Sequence, residues 1–219
     1  MNGSLIQLLV LAGVAIFLIL KLRSVLGTRE GFEKPPVPLE DVRPRARRGF
    51  EVIEGGVDRD ITDHAPEGSD NARALLAMKA AEPSFAVTPF LQGARGAYEM
   101  ILMAYEGGDL GPVKDFLAPD VAASFAEAIA TREREGLTVE AKFVGMKELA
   151  LQEATFNKDS GIGEISVRFV GEQTYVVRNK AGEIIEGNPR EVKRQRDIWT
   201  FARKMGSDDP NWQLVATGD

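Results

Sequence analysis

Apolar residues recur with a helical period up to Gly136 and with a period of two after it, and that single switch limits the chain to a few architectures. Upstream, Asn71 opens an amphipathic segment running to Glu82, with Leu75, Leu76 and Met78 apolar and Arg73, Lys79 and Glu82 polar. Thr88-Pro89 then reads as an N-cap followed by proline at the first helical position. Phe90, Ala94, Ala97, Tyr98, Ile101 and Tyr105 follow at helical spacing, and Gly107-Gly108 is the stop. Asp109 caps a short turn through Phe116 and Leu117. Pro119-Asp120 opens another helix, striped by Val121, Phe125, Ala128 and Ile129 and ended by Gly136.

Beyond Gly136 the alternation predicts strands over 138–146, 148–156, 163–177, 183–186, 192–203 and 212–217. Asn179-Lys180-Ala181-Gly182 reads as a hairpin turn, and 206–210 as another. Helices gathered ahead of antiparallel strands make an α+β fold, with the helices covering one face of a curved sheet. In 192–203, Asp197, Trp199 and Phe201 fall on one face and Arg194, Arg196, Ile198 and Thr200 on the other, so a carboxylate lines up with two aromatics.

A different pattern occupies the start of the chain. Leu5 to Leu20 carries no charge and only Gln7 as a polar interruption, and Lys21-Leu22-Arg23 comes directly after. Sixteen helical residues span about 24 Å, short of the roughly 30 Å hydrocarbon core; Leu22, Val25 and Leu26 lengthen the run if Lys21 and Arg23 snorkel. No basic residue precedes Leu5, and Lys21-Leu22-Arg23-Ser24 stands where a small-x-small cleavage site would be needed. Residues 1–26 are therefore expected to be an uncleaved single-pass anchor, with Leu5, Leu9, Val14, Ile16 and Leu20 facing lipid. Lys21, Arg23, Arg29 and Lys34 all flank its C-terminal end, which places the C-terminal domain on the cytoplasmic side of an inner (cytoplasmic) membrane.

Residues 27–70 are rich in Gly, Pro and charge and hold no period, so a disordered tether is expected there, with a reach of roughly 35 to 40 Å. Arg43, Arg45, Arg47 and Arg48 form a basic knot diluted by Glu51, Glu54, Asp58, Asp60 and Asp63, and His64 is expected to be solvent-exposed. Residues 71–219 form the folded domain. The net charge of −6 provides no footprint for nucleic acid. With no cysteine and His64 as the one histidine, disulfides, thiolate chemistry, histidine-cluster metal sites and a Ser/His/Asp triad within the domain are all excluded. No metal or cofactor is expected.

Four stretches together resemble the Tim44-like domain family: FLQGARGAYEMILMAYEGGDL at 90–110, FLAPDVAASFAEAIATREREG at 116–136, ISVRFVGEQ at 165–173 and RQRDIWTFARKMGSDDPNWQLVAT at 194–217. The resemblance covers roughly residues 75 to 217. It implies a cone of the nuclear-transport-factor-two-like (cystatin-like) kind, with helices against a bent sheet that leaves an apolar pocket. It also implies a membrane-associated adaptor in protein translocation that contacts cardiolipin-rich membrane. The layout is similar to small bacterial members, with a hydrophobic anchor in place of a long charged N-terminal region.

A non-catalytic adaptor is accordingly expected, holding anionic lipid of cardiolipin type, a protein partner, or both. Leu75, Leu76, Met78 and Lys79 are the candidates for membrane contact, and Tyr98, Ile101, Leu102, Trp199 and Phe201 for the pocket. The alternative is an enzyme with Asp197 as general base and Tyr98 or Tyr175 as an electrophilic partner. An ion pair of Asp197 with Arg194, Arg196 or Arg203 would explain the carboxylate without chemistry.

Overall fold

The computed structural model describes residues 58–218, and the anchor candidates Leu5, Leu9, Val14, Ile16 and Leu20 lie outside them. Four helices precede four strands: α1 (Arg59–Thr62), α2 (Asp70–Ala81), α3 (Val87–Gly107), α4 (Pro119–Glu135), β1 (Thr138–Asn157), β2 (Ile162–Arg178), β3 (Ile184–Lys204) and β4 (Gln213–Gly218), with a 3-10 turn at Gly111–Phe116 before α4. The strands form one antiparallel sheet in the order β1-β2-β3-β4. This is an α+β arrangement, with α2 and α3 lying against β1. Among the described residues no helix is long and apolar enough to cross a membrane.

The strands are fewer and longer than the alternation suggested. The segments 138–146 and 148–156 are one strand, β1, whose pairing with β2 slips at Phe143/Gly145, Met146/Glu148 and Leu151/Glu153. Each bulge inserts a residue and reverses the alternation, so one bent strand reads as two. Likewise 192–203 and, apart from Glu183, the segment 183–186 belong to β3. At the slip near Glu153, Asn71 from the start of α2 accepts from Ala154 N at 3.0 Å and donates to Gln152 O at 3.2 Å, pairing backbone groups of the edge strand β1.

Helix ends follow local chemistry with one exception. Ser69 Oγ accepts from Ala72 N to cap α2, and Gly108 and Gly136 close α3 and α4 in the left-handed conformation at φ +77° and +69°. Thr88 does not cap α3. The helix begins two residues earlier, at Val87, and the carboxylate of Asp60, from 27 residues upstream, accepts from Val87 N at 2.7 Å and Thr88 N at 2.9 Å. Asp60 also pairs with Lys79 at 2.8 Å, and Asp58 joins the same ammonium at 2.7 Å.

The tether expected through residue 70 therefore gives way to structure at Asp58. Ile61 and Ala65 are buried in the core, and His64 sits half-buried with Nε2 3.1 Å from Thr88 Oγ1. Burial alone would raise the Asp60 pKa; the Lys79 ammonium and the two helix N–H groups outweigh it and hold the carboxyl far below the usual aspartate range. A depressed pKa contributes stability above the ordinary aspartate range and loses it as pH falls below that range. Asp60→Asn is expected to cost about 2 kcal/mol at neutral pH. The deficit relative to the parent protein should shrink as urea melts are taken to acidic pH, and a deficit independent of pH would show that charge at Asp60 is not what holds the segment.

Candidate functional site

Tyr98, Ile101 and Leu102 on α3 do face Trp199 and Phe201 on β3, as expected for a pocket, but these side chains fill the space between the layers. Tyr98 stacks on Phe169 with ring centroids 4.5 Å apart and lies 4.7 Å from Trp199. Phe169 in turn meets Trp199 at 5.9 Å and Phe201 at 6.4 Å. All five expected pocket residues are buried, and Phe201 also lines an open cavity. Rings this large at helical and alternate-strand spacing close on one another once both layers are in place.

The carboxylate is built into that core. Asp197 Oδ2 accepts from Tyr98 Oη at 2.6 Å and Oδ1 accepts from Gln195 Nε2 at 3.0 Å, while Gln195 Oε1 accepts from Gln173 Nε2 at 2.8 Å. Burial first, and then the carboxylate it donates to, push the Tyr98 hydroxyl far above the usual phenol range, so it stays protonated and donates. The expected strand ion pair is not formed: Arg194 pairs with Glu172 at 3.3 Å and Arg203 with Glu82.

The open cavity lies elsewhere, between the α2–α3 connection, the first half of α3 and the β3–β4 connection. It is a groove of 330 Å³ walled by Phe85, Phe90, Phe116, Phe201 and Trp212. Phe90 sits 4.7 Å from Trp212 and 6.2 Å, edge-on, from Phe201, and Phe85 lies 5.9 Å from Trp212. The floor is Gly93, Ala94 and Ala97, a patch of α3 without bulk; a Cβ added at Gly93 would meet nothing within 4 Å. That missing volume is what leaves the groove open.

Glu82 and Arg203 form its lip. Glu82 pairs with Arg203 and accepts from Gly206 N at 2.8 Å, and the Arg203 guanidinium lies 5.5 Å from the Trp212 ring. Burial opposes the ionised Glu82, but the Gly206 N–H and Arg203 outweigh it, keeping the carboxyl below its usual range. The lip is thus an ion pair whose charges offset each other, with Arg203 Nε left without a partner among the described residues. Phe85 sits in a connection without periodicity and gave no signal; Trp212, expected as the first residue of a strand, precedes β4, Phe90 carried only a helical stripe, and Phe201 was expected in the pocket.

The expected membrane-contact patch does not survive folding. Leu75 and Met78 point into the core at 0% exposure, and Lys79 is held by Asp58 and Asp60; Leu76, at 51%, is the one residue of the four that faces outward freely. Leu75 and Met78, three apart, share a helix face, and a 100° step places Leu76 away from it.

The Tim44-like domain model matches residues 71–219. The chain belongs to the Tim44-like domain family. Among curated proteins, this Tim44-like chain is 22% identical over 162 residues to the mitochondrial import inner membrane translocase subunit TIM44-1 of Arabidopsis thaliana, and 23% identical over 150 residues to subunit TIM44 of Homo sapiens. The matches cover 71% and 67% of this chain, and 34% and 33% of those proteins. The chain thus spans about a third of the length of the curated relatives it matches. Among solved structures, the Tim44-like chain overlaps partly with the intermembrane space region of the chloroplast protein ARC6, at 12% identity and a TM-score of 0.38, over 56% of this chain and 88% of that one.

Proposed function

We propose that this Tim44-like protein is a non-catalytic, membrane-anchored adaptor that seats an apolar partner segment or lipid in the aromatic groove, in a pathway of protein translocation or membrane-protein assembly. The observation that carries this reading is the groove itself: 330 Å³ of apolar space, open to solvent and walled by five aromatic rings in a domain whose core is otherwise filled. Kinship with translocase subunits supports the pathway. The apolar run at 5–20 supports an anchor, and its flanking charges support a cytoplasmic domain at the inner membrane. We read the domain as a cone of the nuclear-transport-factor-two-like kind whose interior is filled and whose opening has moved to this groove. Asp197 belongs to the fold in this reading, since both of its oxygens are engaged beneath the core.

The test fills the groove without touching its walls. Gly93→Leu adds a side chain whose Cβ meets nothing within 4 Å and exchanges a poor helix former for a good one, a gain of about 1 kcal/mol or less. Its melting temperature is expected to match or exceed the parent's. A photo-crosslinker at Asn211, on the rim, is expected to capture protein or lipid in native membranes, with capture lost in Gly93→Leu. Equal capture from Arg196, on the opposite sheet face, would remove the groove from consideration. Release of the full-length chain by alkaline carbonate would remove the anchor.

A further inference from the structure

The wall of the aromatic groove holds a donor that neither a hydrocarbon chain nor the middle of a helix would meet. Trp212 is half-buried there, and its indole N–H makes no hydrogen bond among the described residues. That N–H is not sealed in. The buried side-chain nitrogens and oxygens without a partner are Gln173 Oε1 and Arg203 Nε, so the unpaired Trp212 Nε1 stays in reach of solvent. An indole nitrogen donates and never accepts. An occupant that displaces water from the groove must therefore bring it an acceptor or leave it unpaired.

The acceptors of the lip are already engaged. Glu82 accepts from Gly206 N at 2.8 Å, from Ser84 Oγ at 3.3 Å and from the Arg203 guanidinium, and Pro210 O accepts from Arg203 Nη1 at 3.2 Å. Asn211, exposed on the rim, has water for both ends of its amide. The groove thus suits an occupant that is apolar, supplies an acceptor and brings few donors. An acyl chain supplies no acceptor. A helix uses its carbonyls on its own N–H groups except in the last turn. An ordinary extended peptide supplies carbonyls, but with N–H groups that would go unpaired against the rings. Proline has an apolar ring and no N–H, and in the polyproline II conformation its carbonyls are free of internal hydrogen bonds. Aromatic-lined grooves hold such segments.

Charge narrows the partner further. The two connections that border the groove at Phe116 and Pro210 carry Asp115, Asp208 and Asp209 against Lys114, all exposed and none in an ion pair among the described residues. With Glu82 and Arg203 offsetting each other, the border is negative and complements a cationic ligand. We propose that the groove binds a proline-rich segment of a partner polypeptide with lysine or arginine beside its prolines, the indole N–H of Trp212 donating to one of its backbone carbonyls. The proposal rests on the reading of the groove as a partner's seat and names that partner's class.

The experiment follows the indole N–H resonances of isotope-labelled tryptophan in the full-length protein held in phosphatidylcholine nanodiscs. The chain has two tryptophans, and Trp199, buried in the core, is the internal reference. A lysine-flanked proline peptide is expected to move the Trp212 signal saturably and to leave Trp199 in place. Glutamate flanks should weaken binding several-fold, and the difference should close in high salt and in Asp208→Asn with Asp209→Asn. Trp212→Phe keeps a ring and loses the N–H; anisotropy of a dye-labelled proline peptide should show several-fold weaker binding, and unchanged affinity would overturn the assignment. The comparators are a lysine-flanked, helix-forming peptide of leucine and alanine, and lysophosphatidylcholine added to the bilayer. If either moves the Trp212 signal as strongly as the proline peptide or more so, the proline assignment is overturned and the groove remains an apolar seat. A Trp212 signal that moves with protein concentration alone would assign the groove to a second copy and overturn the proposal as well. If no ligand moves it, the proposal and the reading of the groove fall together.

Discussion

Leu75→Asp is expected to leave the protein without a cooperative thermal transition for residues 58–218. Leu75 is fully buried between α2 and the sheet, in one cluster with Met78, Phe85 and Ile165. Losing its burial costs about 2–3 kcal/mol. An unpaired carboxylate in the same place costs several more, unless it takes up a proton at a cost of its own. The sum approaches the whole stability of an ordinary domain, about 5–15 kcal/mol. Leu76→Asp, one residue on and half exposed, is expected to stay within about 0.5 kcal/mol of the parent. Urea or thermal melts of both variants check the pair. Any loss of liposome binding by Leu75→Asp then reports unfolding, and only the Leu76 variant probes the surface. Equal melting temperatures for the two would mean that α2 does not bury Leu75 against the sheet.

Asp197→Ala carries the second large effect. It strips the acceptor from Tyr98 Oη and from Gln195 Nε2 together. Hydrogen bonds to a charged group contribute about 1.5–3 kcal/mol each, not fully additively, so a loss of about 3 kcal/mol is expected. At about 2–4 °C per kcal/mol for a unit of this size, the melting temperature should fall by roughly 10 °C. Asp197→Asn keeps the shape and one acceptor and should cost less than half as much, because Gln195 and Gln173 can both turn over to meet the new N–H. Tyr98→Phe with Asp197→Ala should cost less than the two singles summed, which is the signature of a direct pair. A general base would behave otherwise, since replacing it would leave the melting temperature nearly intact. A fall of only a degree or two for Asp197→Ala would return the enzyme reading to the front.

Much of the architecture was legible because it is written in near neighbours. Helical stripes depend on residues three and four apart, and so α2, α3 and α4 could be placed from Leu75, Phe90 and Val121 onward. The left-handed glycines at 108 and 136 close α3 and α4 where the stripes end. Alternation placed Asp197, Trp199 and Phe201 on a buried face, with Arg194 and Arg196 exposed opposite them. Where alternation was interrupted by bulges, at Val144, Lys147 and Gln152, the same rule divided one strand into two.

The sites obeyed a different logic. A sequence lists the rings but does not say which of them meet. Tyr98 and Trp199 were pocket candidates until packing set them 4.7 Å apart with Phe169 stacked on Tyr98, while Phe90 and Trp212, which were not candidates, stand around the bare floor of Gly93 and Ala97. Asp60 looked like one acid of a charged tether, and only docking against α3 made it a cap. By itself, then, the sequence determined the order of elements, their faces and the family, because caps, stripes and alternation are properties of short stretches of backbone. Tertiary structure alone decided where space remains and which polar groups are paired, because both depend on how side chains from distant parts of the chain fill a common volume.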